Sequence, residues 1–407
     1  MECGLLGRTL GHSYSPQIHS LLGGYSYSLF EKEPEQLEDF LKNGNFQGLN
    51  VTIPYKKAVI PFLHGLSPEA KRLGAVNTIV RKADGTLLGH NTDYFGFLTM
   101  VRHSGISVKG RKALVLGTGG AGAMAEAALS DLGAQVIVIS RSVENNYENL
   151  YLHADASLIV NATPVGMYPN VGVSHVDLSL FPALEGVLDL VYNPARTEIL
   201  LDAEKRGLKT ENGLLMLVAQ AWESAQWFTG KQLKPELISA IHRKLRSQME
   251  NIILIGMPGC GKSTQGALLA QSLHKTFVDA DQELTKKYGP IPEIFASQGE
   301  DSFREKETEI LSELGKQSSL VIATGGGCVT REENYRLLHQ NGEIFWLQRD
   351  LSSLPSDGRP LSKQQGVQAL YEKRLPLYQA FADFTVDNNR LPENTASEIK
   401  NLWEDKA

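Results

Sequence analysis

The chain has 407 residues, of which 42% are hydrophobic and 21% charged, and its formal net charge is −6. This composition is typical of a globular protein, and the negative charge argues against a nucleic-acid partner. No apolar run approaches about 18 residues and the first residues lack the pattern of a signal peptide, so we expect a cytoplasmic protein with no membrane partner. At about 150 residues per domain, the length predicts two or three domains. The three cysteines lie far apart, which predicts neither disulfides nor a zinc site.

Two serines stand just before the first predicted helix. Pro16 suits the first turn of a helix, and Ser15 can cap that helix. Ser13 has no such role, so the two hydroxyls can instead hydrogen-bond one small polar ligand. The spacing alone leaves both interpretations open.

Polar side chains also occur where the next short elements begin or end. The run Asn50 to Lys57 begins as a strand that a proline ends, which places Lys56 at the strand end. A hairpin turn is expected at Asp84-Gly85, and Asp93 follows at the start of another helix. Taken alone, Lys56 would be assigned to a solvated edge and Asp93 to a helix cap.

A glycine-rich loop in the middle of the chain predicts a dinucleotide site. The strand at 112–116 is followed by the G-x-G-x-x-G pattern of Gly117 to Gly122 and by a helix of small residues, which is the order such a site requires. The next strand, 135–139, ends at Ser140-Arg141-Ser142, where a binder of NAD carries an acidic residue. Arg141 favours NADP, because a guanidinium complements a 2′-phosphate; the alternative is a surface arginine.

Two amphipathic helices follow the dinucleotide-binding segment. The first starts at residue 214 and carries Gln220 beside its apolar stripe. The second spans 235 to about 248, and its basic residues, Arg246 among them, are expected to form a solvated face.

A second glycine-rich loop, Gly256 to Ser263, has the pattern of a phosphate-binding loop and follows the apolar run 252–255. Its glycines let backbone N–H groups converge on a phosphate, Lys262 adds a positive charge, and Ser263 offers a hydroxyl to Mg²⁺. A predicted helix follows the loop. These features indicate nucleotide binding, with a plain strand-to-helix turn as the alternative.

Further segments after this loop suit phosphoryl transfer. Asp279 and Asp281 alternate on one predicted strand, so that one carboxylate can serve Mg²⁺ and the other can accept a proton. Arg304 enters a helix rich in charge pairs and, taken alone, is expected on a salt-bridged surface. Three glycines after the strand at 320–323 let a ligand touch the backbone. The polar stretch 357–361 is expected to be a mobile lid.

Residues 1 to about 245 resemble shikimate dehydrogenase in the motifs described above. The resemblance implies NADPH-dependent reduction of 3-dehydroshikimate to shikimate, with Lys56 and Asp93 as the catalytic pair. A protonated lysine beside the forming alkoxide can donate the proton, and Asp93 would keep that lysine charged. The implied substrate contacts are Ser13, Ser15, Asn50, Thr52, Asn77, Asp93, Tyr192, Gly213 and Gln220. The implied cofactor contacts are Gly117, Gly119, Gly120, Ala121, Gly122, Ser140, Arg141 and Ser142.

Residues 250 to 407 resemble shikimate kinase in the order of their motifs, which run from the phosphate loop to Arg374-Leu375-Pro376-Leu377-Tyr378. The resemblance implies that Lys262 and Arg359 stabilise the transferring phosphoryl group and that Asp281 is the base. Ser263 and Asp279 would bind Mg²⁺. The implied ATP contacts are Gly256, Gly259, Gly261, Ser263 and Thr264, with the adenine near Arg390 and Pro392. The implied shikimate contacts are Arg304, oriented by Glu307, together with Gly325, Gly326, Gly327 and Arg374.

We therefore predict an α/β chain with three parts. An α/β substrate domain at 1–101, with returning helices at 214–248, flanks a Rossmann NADP-binding domain at 102–213, and a P-loop NTPase-type parallel α/β kinase domain follows at 250–407. The predicted partners are small molecules, and the oligomeric state is left open. One alternative is a quinate-type dehydrogenase fused to a kinase of another small metabolite. The other, an inactive nucleotide-sensing regulator, is disfavoured because the four candidate catalytic residues Lys56, Asp93, Lys262 and Asp281 are all present.

Overall fold

A computed structural model describes residues 1–11, 13–354 and 366–406, and its chain divides into two compact units. The first unit comprises Met1–Tyr192 and Asp202–Arg243, and the second comprises Asn193–Leu201 and Lys244–Ala407. Within the described residues, no helix combines the length and the apolar character needed to cross a membrane. The expected lid at 357–361, including Arg359, lies outside the described residues.

The first unit contains two sheets. Its strands are β1 (Glu2–Gly7), β2 (Ser26–Glu31), β3 (Gly48–Val51), β4 (Gly65–Leu66), β5 (Thr78–Arg81), β6 (Leu87–His90), β7 (Lys112–Leu116), β8 (Gln135–Ile139), β9 (Leu158–Asn161), β10 (Gly186–Asp189) and β11 (Lys209–Asn212). The six-stranded sheet has the order β2-β1-β3-β5-β6-β4, and the five-stranded sheet has the order β11-β10-β9-β7-β8. The first sheet is mixed, with β5 and β6 forming an antiparallel hairpin across the expected Asp84-Gly85 turn. The second is parallel throughout.

The helices of this part of the chain include two, Glu198–Lys205 and Glu236–Met249, whose residues are divided between the two units. The helix bounds are Ser15–Leu22, Leu37–Asn43, Pro68–Leu73, Asp93–Ser104, Gly120–Asp131, Glu198–Lys205, Leu214–Thr229 and Glu236–Met249. Short 3₁₀ turns occur at Pro34–Gln36, Ile60–Phe62, Leu150–His153 and Leu178–Leu180. The parallel sheet buries its apolar strands against Gly120–Asp131 and Asp93–Ser104, as Leu158 and Met100 show. Because parallel strands carry their ligand sites at their carboxyl ends, this packing directs the loop after β7 towards a crevice.

The second unit is built on one parallel sheet. Its strands are β12 (Asn251–Ile255), β13 (Thr276–Asp279), β14 (Leu320–Ala323), β15 (Gly342–Gln348) and β16 (Phe384–Asp387), in the order β13-β14-β12-β15-β16. Its helices are Lys262–Leu273, Ala280–Tyr288, Ile291–Gly315, Glu333–His339, Val367–Phe381 and Pro392–Lys406, with 3₁₀ turns at Cys328–Thr330 and Leu351–Ser353. Gly299, with φ 81°, interrupts the long helix. The strand β12, buried along its whole length, leads directly into the phosphate loop.

A buried ion network lies inside the second unit. Arg196 donates to Glu343 at 2.5 Å, and the side chains are only 8% and 1% exposed. Arg246 also contacts Glu343, at 3.3 Å, and pairs with Glu250 at 2.8 Å. The expectation that Arg246 lies on a solvated face is therefore wrong, because two carboxylates hold its guanidinium against the sheet.

Candidate active sites

An ion pair between Lys56 and Asp93 forms the centre of the first candidate site. Lys56 lies in the turn that follows β3, and Asp93 is the first residue of its helix. Lys56 Nζ donates to Asp93 Oδ2 at 2.7 Å, with the side chains 34% and 18% exposed. The carboxylate does not cap its helix, since Thr92 is the N-cap residue. The half-buried contact with the carboxylate directs the ammonium group at one point.

Asn77 fixes the residue that precedes Asp93. Its Oδ1 accepts from Thr92 N at 2.7 Å, and its Nδ2 donates to Thr92 Oγ1 at 3.0 Å. The same amide nitrogen reaches Gln220 Oε1 at 3.5 Å. Asn77 and Gln220 are both buried, so two of the predicted substrate contacts belong to one hydrogen-bonded cluster beside the ion pair.

Asn50 belongs to the same cluster through side chains that sequence reasoning missed. Its Nδ2 donates to Ser224 Oγ at 2.8 Å, and its Oδ1 accepts from Tyr27 Oη at 2.8 Å. Ser224 Oγ also lies 2.9 Å from Thr92 Oγ1, which closes the cluster. Ser224 follows Gln220 by four residues on one helix face, and that spacing of two polar residues was the available signal.

The two N-terminal serines lie at the start of the first helix. The helix begins at Ser15, and its N-cap residue is Tyr14, whose side chain makes no capping hydrogen bond. The interpretation of Ser15 as a helix cap is therefore wrong, because the helix starts one residue earlier than that role requires. Ser15 N donates to Ser13 Oγ at 3.2 Å, which holds the two serines together. The rings of Tyr14 and Tyr192 meet edge to face at 6.1 Å, which brings Tyr192 to this end of the helix.

The remaining predicted substrate contacts lie at element ends. Thr52 follows β3 and donates its backbone N–H to Leu6 O at 3.0 Å. Gly213 is the N-cap residue of helix Leu214–Thr229.

The loop after β7 leaves an open face at a helix N-terminus. A Cβ on Gly122 would lie 2.0 Å from Gly117 O, so a side chain there would force the strand and the helix apart. A Cβ on Gly119 or Gly120 would meet no heavy atom within 4 Å. Ala121 continues the first turn of the same helix. Tight packing on one side and open space on the other fit the pyrophosphate of a dinucleotide.

Polar residues follow β8, the neighbouring strand. Arg141 and Ser142 are exposed, and Ser140 Oγ lies 3.4 Å from Ser142 Oγ. An exposed guanidinium at this strand end is available to a cofactor phosphate.

A cavity of about 730 Å³ forms the second candidate site, and it lies in the second unit. The predicted residues that line it are Gly259, Gly261, Lys262, Ser263, Thr264, Asp279, Asp281, Arg304, Gly325, Gly326, Gly327 and Arg374, together with Glu307. Gly256 lies behind the loop, where its carbonyl oxygen accepts from Lys262 Nζ at 2.9 Å. The phosphate loop, the carboxylates and the arginines thus share one concave surface.

The two aspartates after the phosphate loop do not share a strand face, contrary to expectation. Strand β13 ends at Asp279, whose side chain caps the next helix by accepting from Asp281 N and Gln282 N. Asp281 consequently lies in the first helical turn. Burial raises the pKa of the Asp281 carboxyl, although the Lys262 ammonium opposes the shift. Asp279 Oδ2 accepts from Ser263 Oγ at 2.7 Å, so a hydroxyl and a carboxylate oxygen stand side by side.

Arg304 is buried in the cavity wall, so its assignment to a salt-bridged surface is wrong. It is 6% exposed and donates to Glu307 at 2.7 Å and to Glu300 at 3.2 Å. A Cβ on Gly327 would lie 2.2 Å from Arg304 Nη2, so only glycine leaves room for the guanidinium. Arg374 Nη1 donates to Gly326 O at 2.9 Å. The glycine triplet therefore seats both arginines at one end of the cavity.

Two further residues at the phosphate loop were missed from the sequence. Arg349 lines the cavity just after β15. Asn388 donates from Nδ2 to Cys260 O at 2.6 Å and accepts from Gln265 Nε2 at 2.8 Å. A basic residue directly after a buried strand was the signal for Arg349. Arg390, expected near the adenine, pairs with Asp387 and Glu398 at 3.3 and 3.0 Å, and Pro392 begins the last helix.

Family models match two parts of the chain. The model described as shikimate dehydrogenase substrate binding domain matches residues 5–79, and the model described as shikimate kinase matches residues 258–404. The kinase match covers the phosphate loop from its third residue onwards and all the described residues that line the cavity.

Relatives and solved structures match the N-terminal three fifths. A shikimate dehydrogenase (NADP(+)) from Clostridium perfringens is 36% identical over 266 residues, which cover 60% of this chain and 97% of that protein. The structure of shikimate dehydrogenase 1 from Peptoclostridium difficile matches with TM-score 0.54 and 40% identity, covering 60% of this chain and 97% of that one. Quinate dehydrogenase from Corynebacterium glutamicum, in complex with NAD, matches with TM-score 0.55 and 29% identity, covering 61% and 99%. The chain therefore belongs to the shikimate dehydrogenase family and carries a shikimate kinase domain fused behind it.

Proposed function

We propose that this chain carries out two consecutive reactions, the reduction of 3-dehydroshikimate to shikimate by NADPH and the phosphorylation of shikimate by ATP. One observation supports each half. In the first unit, Lys56 and Asp93 form an ion pair at 2.7 Å, and this pair lies beside a buried polar cluster. In the second unit, one cavity joins a phosphate loop to two arginines that suit a carboxylate.

In the dehydrogenase reaction, Lys56 is the proton donor. Reduction of the ketone places negative charge on its oxygen, and an ammonium group next to that oxygen neutralises the charge by giving up a proton. Asp93 orients the ammonium group through the 2.7 Å hydrogen bond. Asn77 and Gln220 supply amide groups to the substrate hydroxyls, and Ser13, Ser15 and Tyr192 supply hydroxyls to its carboxylate.

The residues after β7 and β8 fit NADPH. Gly119 and Gly120 are open at the helix N-terminus, where they would hold the pyrophosphate, and Arg141 would hold the 2′-phosphate. When bound, NADPH supplies the hydride that reduces the ketone. The preference for the phosphorylated cofactor then rests on one guanidinium.

In the kinase reaction, Asp281 is the base and Arg304 and Arg374 hold the carboxylate of shikimate. Asp281 accepts the proton of the attacking hydroxyl, and its raised pKa makes it a better base than an exposed aspartate. Lys262 stabilises the charge on the transferring phosphoryl group. Glu307 fixes Arg304, because it is almost fully buried and bonds the guanidinium at 2.7 Å.

Ser263 and Asp279 fit Mg²⁺, since this ion prefers oxygen ligands and takes only one or two from the protein. Their oxygens lie 2.7 Å apart at the mouth of the phosphate loop. When bound, Mg²⁺ neutralises charge on the nucleotide phosphates.

A single coupled reaction tests the proposal. The full chain is supplied with 3-dehydroshikimate, NADPH, ATP and Mg²⁺, and the products are identified by mass. We expect shikimate 3-phosphate to form and to require both NADPH and ATP. As a positive control, a known shikimate dehydrogenase and a known shikimate kinase are run under the same conditions. If these enzymes form the product and the full chain does not, the two-reaction function is refuted.

The likeness to a quinate dehydrogenase calls for a competing measurement. The oxidation of quinate by NAD is compared with the oxidation of shikimate by NADP, which reverses the proposed dehydrogenase reaction. We expect the larger kcat/KM for shikimate with NADP. A larger value for quinate with NAD would favour the alternative function.

A further inference from the structure

Arg349 is a cation of the kinase cavity to which the reaction outlined above gives no role. It follows β15 directly and lines the cavity together with the phosphate loop. Its Nη1 lies 3.7 Å from the point that a Cβ on Gly261 would occupy. Gly261 has φ 102° and immediately precedes Lys262, so the guanidinium stands over the turn of the loop that receives phosphate.

The other cations of the cavity already have protein partners. Arg304 bonds Glu307 and Glu300, Arg374 bonds Gly326 O, and Lys262 bonds the carbonyl oxygens of Gly256 and Met257. Among the hydrogen bonds and ion pairs between described residues, none involves the guanidinium of Arg349, and the side chain is exposed. Its five N–H donors are thus available to a ligand that enters the cavity.

The position of Arg349 distinguishes between the two ligands of the cavity. Arg304 and Arg374 lie at the glycine triplet, where the alcohol substrate carries its carboxylate. Arg349 lies at Gly261 instead, and the backbone of that residue belongs to the nucleotide phosphate site. The anion closest to Arg349 is therefore a phosphate of the nucleotide.

Asn388 holds this corner of the cavity rigid. Its side chain bonds Cys260 O and Gln265 Nε2, and its backbone N–H donates to Gln348 O at 2.7 Å. Asn388 thereby connects Gln348, which precedes Arg349, to Cys260, which precedes Gly261. Because these hydrogen bonds hold the backbone before Arg349 and the backbone before Gly261, the Arg349 guanidinium needs only side-chain rotation to reach a phosphate in the loop.

We propose that Arg349 is a further cationic ligand of the nucleotide phosphates and acts at Gly261, beside Lys262. The proposal rests on the kinase function argued above. A planar guanidinium can bind two phosphate oxygens at once, whereas the lysine acts as a point charge. Arg349 thus contributes to the binding of ADP and ATP but not to the binding of the nucleoside.

Nucleotide binding to the full chain tests this assignment without the alcohol substrate. The dissociation constants of ADP, AMP and adenosine are measured by calorimetry, with Mg²⁺ present, for the wild type, Arg349→Ala and Arg349→Gln. A lost hydrogen bond to a charged group weakens binding by roughly 10- to 100-fold, so we expect a loss of that size for ADP in both variants. Adenosine binding is expected to remain within about twofold, since no phosphate is involved.

The matched control is Arg331→Ala, which removes a guanidinium that pairs with Glu333 away from the cavity. Its ADP binding should equal that of the wild type. Unchanged ADP binding in both Arg349 variants would overturn the proposal, as would an equal loss of ADP and adenosine. Dehydrogenase turnover by the same samples reports their integrity. Failure of the kinase function would instead appear as absence of shikimate 3-phosphate from the wild type.

Discussion

Lys56 bonds Asp93 at 2.7 Å, whereas Lys57, the next residue, is exposed. The two neighbouring lysines therefore offer a matched comparison. Lys56→Ala should lower the rate of 3-dehydroshikimate reduction by about 10²- to 10⁴-fold, the usual contribution of a positioned proton donor. Lys57→Ala should leave that rate unchanged. The rate of NADPH oxidation provides the readout.

The same Lys56→Ala protein should phosphorylate added shikimate at the wild-type rate, because Lys56 belongs to the first unit and the kinase cavity to the second. Loss of both activities in this variant would contradict two independent sites.

Lys262→Ala should have the reverse effect. The loss of a cation directed at the transferring phosphoryl group should reduce phosphorylation by at least about 10²-fold. Reduction of 3-dehydroshikimate should continue unchanged. Lys316→Ala, which removes an exposed lysine of the same unit, is the control. A Lys262→Ala enzyme with normal ADP production would remove this lysine from the proposed mechanism.

Arg141→Ala should reduce the preference for NADPH. Without the guanidinium, KM for NADPH should rise by roughly 10- to 100-fold, while KM for NADH stays the same because NADH has no 2′-phosphate. Lys109→Ala removes an exposed charge elsewhere in the first unit and should change neither value. Parallel increases for both cofactors in Arg141→Ala would point to general damage instead.

The pH dependence of phosphorylation should report Asp281. Burial raises the pKa of this carboxyl, so it remains protonated at pH values where an exposed aspartate is ionised. Because the base must be ionised, kinase activity should fall on acidification with a midpoint above the usual range of aspartate. A profile with the midpoint of an ordinary aspartate would refute the assignment.

The raised pKa of Asp281 also predicts an effect on stability. A group whose pKa is higher in the folded state favours folding below the pKa of the unfolded chain, and this contribution is lost as pH rises through the folded value. At neutral pH the buried charge of Asp281 is therefore unfavourable. Asp281→Asn should raise the melting temperature there and abolish phosphorylation, whereas a lower melting temperature would contradict this account.

Short buried strands and glycine loops could be predicted from the sequence. The expected strands at 112–116, 135–139 and 320–323 have the bounds observed, because each is a plain apolar run; the first and third are buried, and 135–139 is a partly buried edge strand. The glycine loops could be predicted as well, since each follows such a strand and opens a helix. Residues that are close together in the sequence are sufficient to predict both the strands and the loops.

Contacts between distant residues could not be predicted from spacing. Arg304 is buried because Gly327 leaves space for it and Glu307 pairs with it, and the first of these lies 23 residues away in sequence. The position of Asp281 is different, because Asp279 caps a helix and the spacing from Asp279 to Gln282 is a local signal of a helix start. The cluster of Asn50 with Ser224 joins residues 174 positions apart, so only the folded chain identifies it.

The segment Asn193–Leu201 limits how the two enzymes can be separated. Within the second unit, Arg196 and Arg246 both pair with Glu343, yet Arg196 precedes the phosphate loop by about sixty residues. A gene cut after residue 248 would supply the kinase without Arg196 and also without Arg246. The carboxylate of Glu343 would then remain inside the sheet with neither arginine, which typically costs about 3–5 kcal/mol. We therefore expect a kinase cut from this fusion after residue 248 to be more stable when Glu343 is also replaced by a neutral residue.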